Sequence, residues 1–328
     1  MSRDSSPPRK SATSPEPARI DVLAAKMEAL LVPLVVLVGA IGIGLPGAPR
    51  WADSAGAVNP TLAVLVFTAG LTVETAALAG ARRRAPRILT ALTVSSIALP
   101  ALAWALSHAV SGPARGGILA VGVAPSEVAS LGLASVAGGE VAVAAALLVA
   151  SSVVAVVDSG PILALLSGAS GTHTGGVLAT LALVVAVPLA AGVAVRRLVG
   201  HSSRALAAGR LVGTVALLAL LWEVAGEVQL RVAYLAVLAA LVGFVAGAGM
   251  LARLLARGLD RQSRPAVLLP IAMRDFAVAA GIAASAFGSA AVGPLGVYGV
   301  LVLLGGAIVA RLTARPDRGT TAPSAEPT

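Results

Sequence analysis

The feature that most constrains the fold of this chain is a series of ten apolar stretches, each about 20 residues long. A helix rises about 1.5 Å per residue, so about 20 apolar residues cross the ~30 Å hydrocarbon core of a bilayer. Only 12% of the residues are charged, against roughly 25% in soluble domains. The sequence therefore predicts an all-α polytopic membrane protein. The predicted spans lie near 29–46, 59–80, 87–110, 116–138, 140–167, 174–195, 205–226, 231–255, 265–288 and 291–313.

The positions of the basic residues predict the orientation of these spans. If the N-terminus is cytoplasmic, 20 of the 24 Lys and Arg residues fall on the cytoplasmic side. Three residues, Arg50, Arg115 and Arg231, fall on the opposite side, and Arg274 lies within a span. Because short cytoplasmic loops collect Lys and Arg, both termini are predicted to be cytoplasmic, in the cell (inner) membrane. The net charge of +9 is thereby explained by topology, so the expected partner is the lipid bilayer and not nucleic acid.

The spans divide into two halves of similar length. Residues 28–168 form a predicted first five-helix repeat, and residues 169–313 a second one. Because five is odd, the second half begins on the opposite side of the membrane, which is the arrangement of an inverted repeat in transporters. The polar tails 1–27 and 314–328 are predicted to be disordered and cytoplasmic.

The fourth span of each half contains a proline followed by charged residues. In the first half Pro125 precedes Glu127, and in the second half Pro270 precedes Arg274 and Asp275. Proline removes one backbone donor and clashes with the preceding turn, so both helices should be interrupted within the membrane. Interrupted spans at matching positions are a pointer to a transporter's binding site.

Four motifs in order resemble the bile acid:sodium symporter family. They are NPTLAVLVFTAGLTVE (59–74), TVSSIALPALAW (93–104), PSEVASL (125–131) and PIAMRD (270–275). The resemblance implies a core domain and a panel domain, with discontinuous helices four and nine crossing at mid-membrane. It also implies two sodium ions beside the crossing and an organic anion next to it.

The chain departs from that family at the implied sodium ligands. Ser130 matches a crossing serine, but the resemblance places Leu131, Ala144, Leu148 and Pro270 where the family has side-chain oxygens. Family amide residues fall on Ser95, Arg274 and Asp275. We therefore expect degraded sodium sites and no cofactor.

The charges gained at the interruptions suggest a hypothesis for Arg274. Its guanidinium would replace bound sodium by pairing with Glu127 or Asp275 and with freed backbone carbonyls. The alternative is a structural ion pair with no role in transport. Asp158, within the fifth span, is either a proton carrier, a partner of Arg274, or a residue near the extracellular end in water. The candidate substrate- and ion-binding residues are Pro125, Ser126, Glu127, Ser130, Pro270, Met273, Arg274, Asp275, Ser95 and Asp158.

The favoured function is secondary active transport of a small organic anion by alternating access, either independent of sodium or coupled to protons. Arg274 and the positive N-terminal ends of the half-helices would attract the anion. Alternatives are a sodium-coupled symporter with altered ligands, a non-transporting receptor or scaffold, and a channel. The chain has no cysteine and no metalloprotease, phosphate-loop or nucleotide-binding motif, so no enzyme is predicted. The pattern predicts no oligomeric state.

Overall fold

The computed structural model describes residues 19–45, 47, 58–72, 84–168, 179, 181–200, 202–228 and 234–314. In the first half the helices are α1 (Arg19–Ala29), α2 (Leu31–Gly44), α3 (Val58–Thr72), α4 (Ala85–Ser107), α5 (Ala114–Val123), α6 (Ala129–Val136) and α7 (Val141–Ser167). In the second half a π-helical turn, Ala182–Ala186, leads into α8 (Val187–Val199). It is followed by α9 (Ser203–Ala225), α10 (Tyr234–Leu255), α11 (Ser263–Ala272), α12 (Phe276–Phe287), a 3₁₀ turn (Ser289–Ala291) and α13 (Gly293–Thr313).

These helices make the protein an all-helical, multi-pass membrane protein. Six of the described helical segments are long and apolar enough to cross a bilayer. Each of the ten predicted stretches overlaps at least one described helix. The number of spans, the inverted repeat and the division into core and panel domains remain predictions.

The predicted disorder of residues 1–27 is wrong from Arg19 onward, where α1 begins. Apolar residues at Ile20, Ala24 and Met27 follow helical spacing, and Ala24 is buried. The helix packs against α9. Packing of this apolar stripe against α9 explains why the segment is helical although the residues before it in the sequence are polar.

Close helix contacts in the bundle depend on small residues. Gly70 of α3 faces α8, where an added Cβ would lie 2.6 Å from the Leu189 carbonyl oxygen. Gly122 of α5 faces α4, where an added Cβ would lie 2.5 Å from the Ala103 Cβ. Small residues allow backbones to approach closely, which is how membrane helices gain packing energy.

An ion-pair cluster joins the residues just before α4, α7 and α11. The Arg84 guanidinium lies 3.0 Å from a carboxylate oxygen of Glu140 and 3.0 Å from one of Asp260. Asp260 also accepts hydrogen bonds from the backbone N–H and the hydroxyl of Ser263. These bonds, together with Arg84, hold the pKa of Asp260 below its ordinary value, so the Asp260 carboxylate stays charged at neutral pH and loses its contribution as the pH falls through that lowered pKa.

Candidate functional site

The two interruptions predicted from the prolines lie between α5 and α6 and between α11 and α12. The first comprises residues 124–128, with extended backbone at Ala124. The second comprises residues 273–275, with extended backbone at Met273 and Asp275. Pro125 lies within the first interruption, whereas Pro270 lies inside α11, which continues to Ala272. The second break is therefore displaced from its proline toward the charged pair.

The two interruptions pair with each other through their backbones. The Glu127 N–H donates to the Met273 carbonyl at 2.9 Å, and the Asp275 N–H donates to the Pro125 carbonyl at 2.8 Å. Ser126 and Arg274 thus form an isolated antiparallel bridge. Unwound backbone is tolerated at membrane depth only where its polar groups are satisfied inside the protein. Each interruption therefore supplies partners for the other.

Neighbouring backbone groups of this bridge are satisfied by side chains from other helices. The Ser126 N–H donates to the Ser151 hydroxyl of α7 at 3.0 Å. The Arg274 N–H donates to the Tyr298 hydroxyl of α13 at 3.2 Å. On the preceding helix, the carbonyl of Val123 accepts from the Ser159 hydroxyl at 3.1 Å.

The two carboxylates of the crossing lie at the N-terminal ends of the half-helices. Asp275 accepts from the N–H groups of Ala277 and Val278, both at 2.9 Å, and so caps α12. Glu127 accepts from the Ala129 N–H at 3.5 Å and from the Phe276 N–H at 3.4 Å, and so contacts the first turns of both half-helices. The chain's own carboxylates thus lie at these positive ends, and the expected attraction of a substrate anion by them stays a prediction.

Arg274 is a charged residue of the crossing that has no ion-pair partner among the described residues. Its side chain is buried, at 4% exposure, and its Nε has no hydrogen-bond acceptor among the described residues. Within the described part of the chain, no carboxylate lies within ion-pair distance of its guanidinium. The expected direct pairs with Glu127 or Asp275 are therefore absent there, because both carboxylates point into helix N-termini.

The Arg274 side chain faces a small cavity with room for about one water molecule. The cavity is lined from α4, α5 and α7 by Ser96, Gly122, Ser151 and Asp158, among other residues. Asp158 is half-buried and interacts electrostatically with Arg274. Of the alternatives considered for Asp158, its position favours a role with Arg274 over exposure in extracellular water.

Of the ten predicted site residues, Asp158 and Arg274 line this cavity and the other eight do not. Ser95 donates its hydroxyl to the Leu92 carbonyl of its own helix, and its neighbour Ser96 lines the cavity instead. The Met273 side chain packs against Gly306 of α13. Its backbone carbonyl accepts the hydrogen bond from the Glu127 N–H. Pro270 is buried within α11.

Ser130 occupies a separate position near the crossing. It lies in the first turn of α6, and its N–H donates to the Glu127 carbonyl at 3.0 Å. Its hydroxyl is fully buried and has no hydrogen-bond partner among the described residues. The Ser130 hydroxyl oxygen is therefore buried and still able to accept a hydrogen bond or to bind a cation.

Tyr298, Ser151 and Ser159 are not among the site residues singled out from the sequence. A signal for Tyr298 was present, because the chain has only two tyrosines and a buried tyrosine hydroxyl requires a partner. The serines carried no comparable signal, since most membrane serines bond their own helix.

An apolar bundle in which two interrupted helices meet beside buried charges has the architecture of a membrane transporter. The sequence profile of the sodium bile acid symporter family matches residues 59–238, more than half of the chain, and the chain belongs to this family. Family members are transporters and not enzymes, so this protein is a membrane transporter of that kind. The matched segment contains Glu127 and Asp158 and ends before Arg274 and Asp275. No curated protein matches the chain significantly.

Proposed function

We propose that the protein is a secondary active transporter of a small organic anion, with Arg274 as the fixed positive charge that binds the anionic group. The supporting observation is that this guanidinium is buried, faces a cavity and has no ion-pair partner in the described structure. A buried charge is costly unless it is paired and hydrogen-bonded. A carboxylate or sulfonate on the substrate would supply the missing acceptor atoms.

The position of Asp158 beside Arg274 supports coupling of transport to protons. When ionised, Asp158 competes with a substrate anion for the field of Arg274. When protonated, it leaves the guanidinium free for the substrate. One proton on Asp158 and one monoanion on Arg274 would then cross together without net charge. Glu127 and Asp275 suit this role less well, because both accept backbone N–H groups of the crossing.

The residues at the implied sodium positions do not fit two sodium ions. Leu131, Ala144, Leu148 and Pro270 provide no side-chain oxygen, and small hard cations need oxygen ligands. The Arg274 guanidinium adds a positive charge in the same region. Sodium-independent transport is therefore the better proposal.

A sodium-coupled mechanism with altered ligands is the second candidate. It is favoured by the buried, unpartnered hydroxyl of Ser130, which lies close in sequence to the Glu127 carboxylate. These oxygens could contribute to one cation site. They could not rebuild the two sodium sites that the family resemblance implies.

Thermal unfolding of the purified protein separates the two candidates without knowledge of the substrate. The wild type and Arg274→Gln are compared in sodium, potassium and choline chloride at equal ionic strength. A ligand at 100 times its Kd stabilises the folded state by about 2.7 kcal/mol. We expect no sodium-specific shift in the wild type. A clear sodium-specific shift would replace the leading proposal with sodium symport.

Uptake into proteoliposomes tests the role of Arg274 and Asp158, with taurocholate, pantoate and pyruvate as probes. We expect saturable uptake of at least one probe that rises with an inward proton gradient. Arg274→Gln should lower uptake roughly 10- to 150-fold, since a hydrogen bond to a charged group contributes about 1.5–3 kcal/mol. Asp158→Asn should remove the dependence on the proton gradient, and Ser152→Ala serves as the control.

Three results would contradict this proposal. Unchanged uptake by Arg274→Gln would exclude the fixed-charge role. Probe binding without flux would favour a receptor or scaffold, and flux that does not saturate would favour a channel.

A further inference from the structure

A groove on the side of the bundle lies between α7 and the continuous helix of the π-helical turn and α8. Its volume is about 410 Å³. It is lined mainly by apolar residues, including Val153, Val157, Val185, Leu189 and Val193, and it ends at Arg197. It shares no residue with the cavity beside Arg274, so it is a separate site.

The groove lies along two apolar helices long enough to cross a membrane, so we expect it to face the hydrocarbon core. Val153 is 58% exposed and Val157 is 66% exposed, so these walls are uncovered by the rest of the described protein. The helical rise from Val185 to Arg197 is about 18 Å. One leaflet of the hydrocarbon core is about 15 Å thick, half of the ~30 Å total. The groove therefore has the length and polarity suited to one acyl chain lying within one leaflet.

A free cation lies at the polar end of this groove. Arg197 belongs to the last turn of α8, is exposed and forms no ion pair with any described residue. Its neighbour Arg196 differs, because that guanidinium donates to the Gly200 carbonyl. An acyl-chain groove that ends in an unpaired guanidinium is complementary to a lipid with a negative headgroup.

We propose that this groove binds an anionic phospholipid, with one acyl chain along α7 and α8 and the phosphate at Arg197. The proposal is independent of the transported substrate. It also has a structural consequence, because α7 carries Ser151 and Asp158 of the Arg274 cavity. A lipid in the groove would contact the opposite side of the same helix.

The test is a lipid titration of the purified full-length protein in detergent, followed by thermal unfolding. The probes are dioleoyl phosphatidylglycerol and dioleoyl phosphatidylcholine, with inorganic phosphate at matched ionic strength as a third arm. We expect about a five-fold preference for phosphatidylglycerol, equivalent to the ~1 kcal/mol gained per basic residue near an anionic headgroup. Arg197→Gln should remove that preference. Val153→Trp, at an exposed position, should block the groove and weaken stabilisation by phosphatidylglycerol.

Arg311→Gln is the matched control, because Arg311 is an exposed arginine in the last turn of α13 and does not line the groove. We expect it to retain the full preference. The proposal is overturned if both lipids stabilise the wild type equally or if inorganic phosphate reproduces the shift. It is also overturned if Arg197→Gln or Val153→Trp behaves as the wild type, or if Arg311→Gln loses as much preference as Arg197→Gln.

Discussion

At the scale of single residues, the adjacent charges of Arg274 and Asp275 serve different structural roles. Asp275 caps the helix that follows it, so its carboxylate is satisfied by its own chain. The Arg274 backbone belongs to the bridge and its side chain faces the cavity. Neighbouring side chains point in different directions, so this adjacency does not produce an ion pair. The Asp275 carboxylate is thus satisfied by its own chain, whereas the Arg274 guanidinium faces the cavity without an ion-pair partner among the described residues.

Ser151→Ala should destabilise the protein more than Ser152→Ala. Both hydroxyls donate to the Leu148 carbonyl, but only that of Ser151 also accepts the buried N–H of Ser126. Leaving that N–H unsatisfied should cost about 1–3 kcal/mol. Ser152→Ala should be close to neutral, since alanine is the better helix former. The free energy of unfolding in mixed detergent micelles measures both, and equal losses would refute the importance of the Ser151 contact.

At the scale of elements, the crossing depends on how closely α5 approaches α4 and α7. Gly122 lies on the face of α5 that lines the Arg274 cavity and contacts α4. Its neighbours there include backbone atoms of Pro100 and Leu99, which cannot move as a flexible side chain can. The position of α5, and with it the first interruption, is therefore sensitive to added volume at this residue.

Gly122→Ala should destabilise the protein by about 1–3 kcal/mol, the usual cost of overpacking a core. Gly132→Ala is the control, because an added Cβ at Gly132 of α6 meets nothing within 4 Å. That change should be neutral or stabilising by up to about 1 kcal/mol, because alanine is the better helix former. The comparison uses chemical unfolding of both variants. Similar stabilities for the two would show that α5 can move away from α4.

The sequence predicted the helices and their interruptions well, but not the contacts that the interruptions make. Apolar length and proline are local properties, and so the breaks near Pro125 and Pro270 were found. Whether Ser95 or Ser96 lines the cavity depends on a rotation of about 100° along one helix, which a uniformly apolar span does not specify. The position of Arg274 relative to Glu127 depends on packing between distant segments, which charge alone does not determine.

At the scale of the whole molecule, charge and topology are linked. Arg84 and Asp260 lie in loops that the basic residues place on the cytoplasmic side, and Glu140 follows the fourth predicted span on the same side. The structure brings these three residues together in one ion-pair cluster. Loops assigned to one membrane face by their arginines are thus neighbours in space, as segments on the same side of a membrane should be, while the side that is cytoplasmic stays a prediction.

Labelling of single cysteines should test this orientation directly, because the native chain has no cysteine. Ser111→Cys, in the exposed loop before α5, should react with a membrane-impermeant maleimide in intact cells. Ser202→Cys, exposed just before α9, should react only after permeabilisation. Labelling of Ser202→Cys in intact cells would place the α8–α9 loop outside and invert the proposed topology.

The backbone bridge also has a consequence for biosynthesis. The two paired segments are far apart in the chain: the Glu127 carboxylate and the Phe276 N–H that donates to it are separated by 149 residues. At about 5–20 residues per second, a ribosome needs roughly 7–30 s to make the intervening segment. Until then, the Glu127 N–H and the Pro125 carbonyl lack the partners that they have in the finished protein. The nascent first half must therefore keep an unpaired, polar stretch of backbone covered by water or by the insertion machinery until the second half emerges.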